Sequence, residues 1–327
     1  MSVQTCLALA PGPVCGLQGR CSTNGVTCIC NAGWSQSSEF SFYLDEAPSN
    51  ATSSFLICDK SDTLLRLFYG IVIVSCVIVG VIHISVVKRW KAFRRLSIYF
   101  SYLFFSIVLS TWRLVHIDRN TAEDEITTVL FALTWFFGYA TSTVFFNRYI
   151  YYMIARSKSL NLDKIPFLLH TQVILMIVDV VVLILFCSSA FVGSYSATKT
   201  IVKIYLVAYG MRNIYHFYAA RFYIGIIVQD FKHLQHSLAK CADVEYDLDH
   251  NIQNLKKLQM VVYSFSVIFA FFYFTPLMWD SMFNLWKYFI PAQMTATCLF
   301  TYLVLRYMLK AKMTRPKEST ELTTDVA

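Results

Sequence analysis

Between Leu64 and Lys310 the chain carries seven long apolar stretches separated by short polar breaks, and a cysteine-dense head of about 60 residues precedes them. A helix needs roughly 20 apolar residues to cross a hydrocarbon core of about 30 Å, and only helices or closed barrels satisfy every backbone polar group there. The stretches 64–87, 96–115, 126–155, 165–192, 201–230, 259–278 and 288–309 are each long enough. They predict an all-α membrane protein, a seven-transmembrane helix bundle over 64–309, with a head at 1–63 and a tail at 310–327. The third and fifth stretches are longer than a bilayer needs, which predicts tilt or projection beyond it.

With 56% hydrophobic and only 15% charged residues the chain falls outside the range of ordinary soluble domains. Its formal net charge of +8 points to topology rather than to nucleic acid, because the Lys and Arg are spread by loop instead of clustering on a basic domain. With the head outside, the four inner segments 88–95, 156–164, 231–258 and 310–327 hold 16 basic residues, against five in the head and the other three loops. Cytoplasmic loops accumulate Lys and Arg, so the reading is a multi-pass plasma-membrane protein with its amino terminus extracellular and its carboxyl terminus cytoplasmic. Met1 to Ala10 has no basic segment before its short apolar run, so the first membrane helix is expected to act as its own insertion signal, or the start is incomplete.

Six cysteines, Cys6, Cys15, Cys21, Cys28, Cys30 and Cys58, precede the first stretch, an even number in the compartment where disulfides persist. So short a head cannot bury enough apolar surface to fold alone, and crosslinks worth about 2–4 kcal/mol each would supplement its core. Spacing alone permits 15 connectivities for six cysteines. The run Cys15-Gly-Leu-Gln-Gly-Arg-Cys21, followed by Cys28-Ile-Cys30-Asn-Ala-Gly-Trp34, resembles an epidermal-growth-factor-like (EGF-like) module. That resemblance implies the pairs Cys6 with Cys21, Cys15 with Cys28, and Cys30 with Cys58, although the gap from Cys30 to Cys58 is longer than the family pattern. A disulfide knot that merely tethers is the other reading. Within the gap, Asn50-Ala51-Thr52 is a glycosylation sequon, exposed to the modifying machinery if the head is outside.

Ionisable side chains inside a membrane are costly and usually face a bundle interior or a wet cavity. Asp179 is the acid deepest in the stretches, and Arg212 on the next helix falls at a similar depth at 1.5 Å per residue. They are expected to pair, as a structural clamp or as part of a signalling device, with His216 in the same polar network. Tyr205, Tyr209, Arg212, His216 and Tyr223 recur at helical spacing along one stripe, which suits either a cavity wall or a hydrogen-bonded seam. His83 and His170 lie toward cytoplasmic ends, where snorkelling is expected to make them cheap.

At the inner end of the third stretch, Asn147-Arg148-Tyr149 resembles the acid-Arg-Tyr triplet of rhodopsin-like G-protein-coupled receptors. That resemblance implies a transducer-facing role for the three residues, with Asn in place of the acid; the other reading of Arg148 is an interfacial anchor to lipid headgroups. Across stretches two to seven the chain also resembles the plant-type seven-helix family named for tobamovirus multiplication. The matching segments are Tyr151-Tyr152-Met153-Ile154-Ala155-Arg156, Arg221-Phe222, Lys256-Lys257-Leu258-Gln259, Ile290-Pro291 and Leu305-Arg306.

Catalysis has no constellation to stand on. Histidine stops at His250, so the three-histidine zinc site of seven-helix ceramidases cannot be built, and Lys287 and Lys310 flank the seventh stretch instead of offering a retinal lysine at its middle. No catalytic, cofactor or metal residue is therefore expected. The connection from Phe231 to Leu258 carries a partly helical apolar pattern that would extend the fifth and sixth helices. The functional expectation is a receptor-like protein without enzymatic activity. It would sense an extracellular ligand or surface protein amid membrane lipids and couple it to a cytosolic transducer such as a G protein. The alternatives are a transporter or channel subunit using Asp179, Arg212 and His216, and an adhesion or scaffold protein.

Overall fold

The computed structural model describes residues 18–21, 28–35, 58, 60–86, 97–117, 124–156, 165–192, 195–237, 242–278 and 283–313. Among these the protein is predominantly helical: α1 (Asp62–Val86), α2 (Ser97–Val115), α3 (Glu125–Arg156), α4 (Ile165–Val192), α5 (Tyr195–Ala219), α6 (Gly225–Ser237), α7 (Ala242–Met278) and α8 (Phe283–Met313). A π-helical segment, Ala220–Ile224, joins α5 to α6 without a break, so the described helices form seven continuous rods.

Each rod overlaps one apolar stretch, and the helix starts have local causes. Ser61 Oγ accepts from the Leu64 backbone N–H at 3.3 Å and caps α1. Asp124 caps α3 by accepting from the Thr127 N–H at 3.2 Å, and the same carboxylate takes the indole N–H of Trp112 from the end of α2 at 2.8 Å. By length and composition, α1, α2, α4 and α7 could each cross a membrane. These four apolar helices support a membrane-spanning protein. α4 shows how such a helix is used: Asp179, Val182 and Phe186 face inward at helical spacing, while Val173, Ile174, Ile177, Val180, Val181 and Ile184 are exposed. In water that outer face would be unstable; against lipid it is ordinary.

Consecutive rods pack side by side, α5 meets α7, and α8 closes the ring on α1 while also touching α3. The interior is aromatic. Phe131, Trp135, Tyr139, Tyr205, Tyr209, Tyr273 and Trp286 are all buried, with Tyr139 and Tyr209 stacked at 4.2 Å between ring centroids. His83 is buried to 3% exposure against the Tyr99 ring at 4.9 Å, so it does not snorkel as expected; aromatic rings of α2 and α8, Tyr99 and Tyr302, enclose it instead.

In the head, β1 (Gly19–Cys21) pairs antiparallel with β2 (Cys28–Cys30), and β3 (Trp34–Ser35) with β4 (Lys60–Ser61). Gly33 carries φ +82° in the turn before β3, a conformation that suits glycine. A disulfide joins Cys30 to Cys58, and Cys28 is also disulfide-bonded. Cys6, Cys15, Asn50 and the tail after Met313 lie outside the described residues. β4 runs directly into α1. Its Ser61 N–H donates to the Tyr288 hydroxyl of α8 at 3.1 Å, and Ser35 Oγ donates to the Asp62 carboxylate at 2.6 Å.

Candidate functional site

The interior holds one ionic contact among the described residues. Arg212 of α5 pairs through Nη1 with the Asp179 carboxylate of α4, and both side chains are buried. α3 supplies the remaining acceptors. Arg212 Nη2 donates to the Tyr139 carbonyl at 3.0 Å, Nε donates to Thr143 Oγ1 at 3.0 Å, and Nη2 also reaches Thr143 Oγ1. A guanidinium offers five donors in a fixed fork, and here the fork spans two helices from a third. The carbonyl of Tyr139 is available beside the Thr143 hydroxyl because residues four apart stack on one helical face.

His216 lies one turn beyond Arg212, with Nε2 3.3 Å from Thr143 Oγ1, so the Asp179, Arg212 and His216 of the sequence do meet at one centre. The expected stripe Tyr205, Tyr209, Arg212, His216 and Tyr223 is buried along its length. It forms a seam against α3 and α7. Asn147 is buried to 1% exposure on the inner side of α3. Arg148 and Tyr149 continue that helix, and their side chains lie outside the described residues.

Several members escape a reading by sequence. The Tyr139 hydroxyl accepts from Asn213 Nδ2 at 3.2 Å and from Gln293 Nε2 at 3.1 Å. Gln293 Nε2 also reaches the Tyr273 hydroxyl at 2.6 Å, which takes the Trp135 indole N–H at 2.7 Å. The network thus runs from the ion pair through α3 to α7 and α8. A density of Thr and Ser on α3 is the only advance signal: Thr134, Thr141, Ser142 and Thr143 are all buried.

Beside this network lies a cavity. About 40 Å³ of it admits a water-sized sphere, enough for a few waters. α7 contributes Val262, Phe265, Ser266 and Phe269 to its wall, and α8 contributes Gln293, Met294, Thr297 and Phe300. Trp135, Tyr139, Asn213 and His216 form its back. Among the described residues no group of three His, Cys, Asp or Glu side chains is arranged to hold a metal ion, and His233 and His236 are exposed on α6.

Two of the segments that resemble the tobamovirus multiplication family meet at the π-helical segment. A π turn shifts the backbone ladder, and the Gln259 side chain of α7 donates to the Ala220 carbonyl there at 3.3 Å. Leu258 is buried beside it, while Arg221, Phe222, Lys256 and Lys257 are exposed. No protein-family model, no curated protein and no solved structure matches the chain.

Proposed function

We propose that this protein is a seven-transmembrane receptor of the plasma membrane, with an extracellular EGF-like head, a cytoplasmic tail and a cytosolic transducer such as a G protein. The observation that carries the reading is the seam between head and helices. β3 pairs with β4, β4 continues into α1, and Tyr288 of α8 holds the same strand through its hydroxyl. A ligand or surface protein engaging the head would pull on the ends of α1 and α8 together. α8 reaches the ion-pair network through Gln293. Signalling then requires two packings of the helices with different ligand affinity. The loop-charge bias supports the head outside, and the two short strand pairs with the Cys30–Cys58 bridge suit an EGF-like module.

The test is recruitment of cytosolic G proteins in cells expressing the full chain, with antibodies to tags at each terminus reporting topology in the same cells. Agonist-independent or surface-triggered recruitment that disappears when Tyr288 is replaced by Phe supports the reading. Both tags on one side of the membrane would defeat it. The adjacency of His216 to the cavity favours one second reading, a transport path through Asp179, Arg212 and His216. Proton or solute flux in reconstituted vesicles, with no recruitment in cells, would select that reading.

A further inference from the structure

We infer that the cavity between α7 and α8 binds the polar end of a neutral, hydroxyl-bearing single-chain lipid that enters from the bilayer. This goes beyond the receptor reading and does not depend on it. Val262, Phe265, Ser266 and Phe269 lie at i, i+3, i+4 and i+7 on α7, so one continuous helical face lines the space. Gln293, Thr297 and Phe300 do the same on α8. The two helices therefore each turn a face toward the gap between them, near the middle of their length.

Burial shows which way the gap opens. Tyr139, Asn213, His216 and Gln293 at the back are buried, whereas Phe265, Phe269 and Phe300 are half-buried, with Phe265 and Phe300 in ring contact at 5.5 Å. Next to this aromatic mouth, Val267, Ile268, Phe271 and Leu299 are exposed. A mouth rimmed by exposed apolar side chains halfway along α7, a helix long and apolar enough to cross a membrane, is suited to face acyl chains, and its occupant arrives from lipid.

The wall also selects the chemistry. No Asp, Glu, Lys or Arg lines it, so a carboxylate, phosphate or ammonium would lose its hydration without a counter-charge. The occupant is neutral. Gln293 is 3% exposed, and both of its hydrogen bonds, to the hydroxyls of Tyr139 and Tyr273, leave from the same terminal atom of the amide. The other terminal atom has no partner. Which atom is oxygen and which nitrogen is an assignment, yet in either orientation one polar atom stays unsatisfied. A hydroxyl both donates and accepts, so it completes the amide either way. With about 40 Å³ open to the centre of a water-sized sphere, the inner space suits a slender chain end.

The experiment uses the full chain in phosphatidylcholine nanodiscs and a long-chain primary alcohol carrying a diazirine, with adducts mapped by peptide mass spectrometry. Adducts are expected on 262–269 and 293–300, displaced by excess hexadecanol but by neither hexadecane nor palmitate. Ser266→Phe, which fills the gap, should abolish them. Gln293→Leu should cut the preference for alcohol over alkane about tenfold, the worth of one hydrogen bond; a purely structural glutamine would lower stability and leave that ratio unchanged. Equal displacement by hexadecane or palmitate overturns the proposal, as does labelling spread over the exposed faces of α1 and α4. The competition pattern on the unaltered chain decides the matter even where a variant does not fold.

Discussion

Arg212 holds the Asp179 carboxylate of α4 while its remaining donors reach Thr143 and the Tyr139 carbonyl of α3, so one side chain on α5 ties three helices together. Removing the acid strands a buried cation, and breaking such a pair costs about 3–5 kcal/mol. Asp179→Ala should therefore lose most of its monodisperse yield in detergent and unfold at a markedly lower temperature. Exchanging the two charges is expected not to rescue the protein. A carboxylate at position 212 would confront the Tyr139 carbonyl, and two acceptors repel. Full recovery of thermal stability in the exchanged double variant would show that α3 contributes little.

Thr143 offers a sharper probe of the same centre. Thr143→Val keeps the shape and removes the oxygen that Arg212 Nε and Nη2 share. Leaving charged donors unsatisfied should cost about 1–3 kcal/mol. Because both residues serve one guanidinium, the penalties of Thr143→Val and Asp179→Ala should not add in a double-mutant cycle. Additivity within experimental error would mean that the two contacts are independent.

What the sequence reveals of this centre follows from cost. A charge in an apolar stretch is so unfavourable alone that Asp179 and Arg212 advertise themselves, and their pairing follows from depth. Thr143, Tyr139 and Gln293 carry no such mark. Thr and Tyr are ordinary in membrane helices, and their bonds join positions separated by 20 to 154 residues, which no local pattern encodes. Helix extents behave likewise. Hydropathy alone starts the sixth stretch at residue 259, because apolar runs report the solvent around a helix and not where its backbone ladder ends; the helical apolar pattern over 231–258 is what foretells that α7 begins as early as Ala242. His83 misleads for a related reason: its polarity suggests an interface, but Tyr99 and Tyr302 surround it.

The Cys30–Cys58 bridge closes 28 residues of chain at the root of the head. The loop-entropy relation assigns such a link about 3–4 kcal/mol. The loss should fall on the head alone, since the helices have their own core. In a Cys30→Ser, Cys58→Ser variant, limited proteolysis should cut before residue 60 much faster, while helical circular dichroism and its melting stay unchanged. Parallel loss of helical signal would show that the head props up the bundle.

Gly210 of α5 is buried against the Phe274 ring of α7. A β-carbon built there would stand 2.6 Å from the Phe274 ring tip and 2.9 Å from its two flanking carbons, closer than any real contact allows. Gly210→Ala must push the ring or the helix aside, and such overpacking costs about 1–3 kcal/mol. Gly70 of α1 is the control, because nothing lies within 4 Å of the corresponding position. Relief from glycine's helical penalty then dominates, and Gly70→Ala should gain about 0.5–1 kcal/mol. Shrinking the obstacle with Phe274→Leu should restore much of what Gly210→Ala loses. Thermal unfolding of the four variants checks this directly, and a neutral Gly210→Ala would mean that α5 and α7 separate more easily than their packing implies.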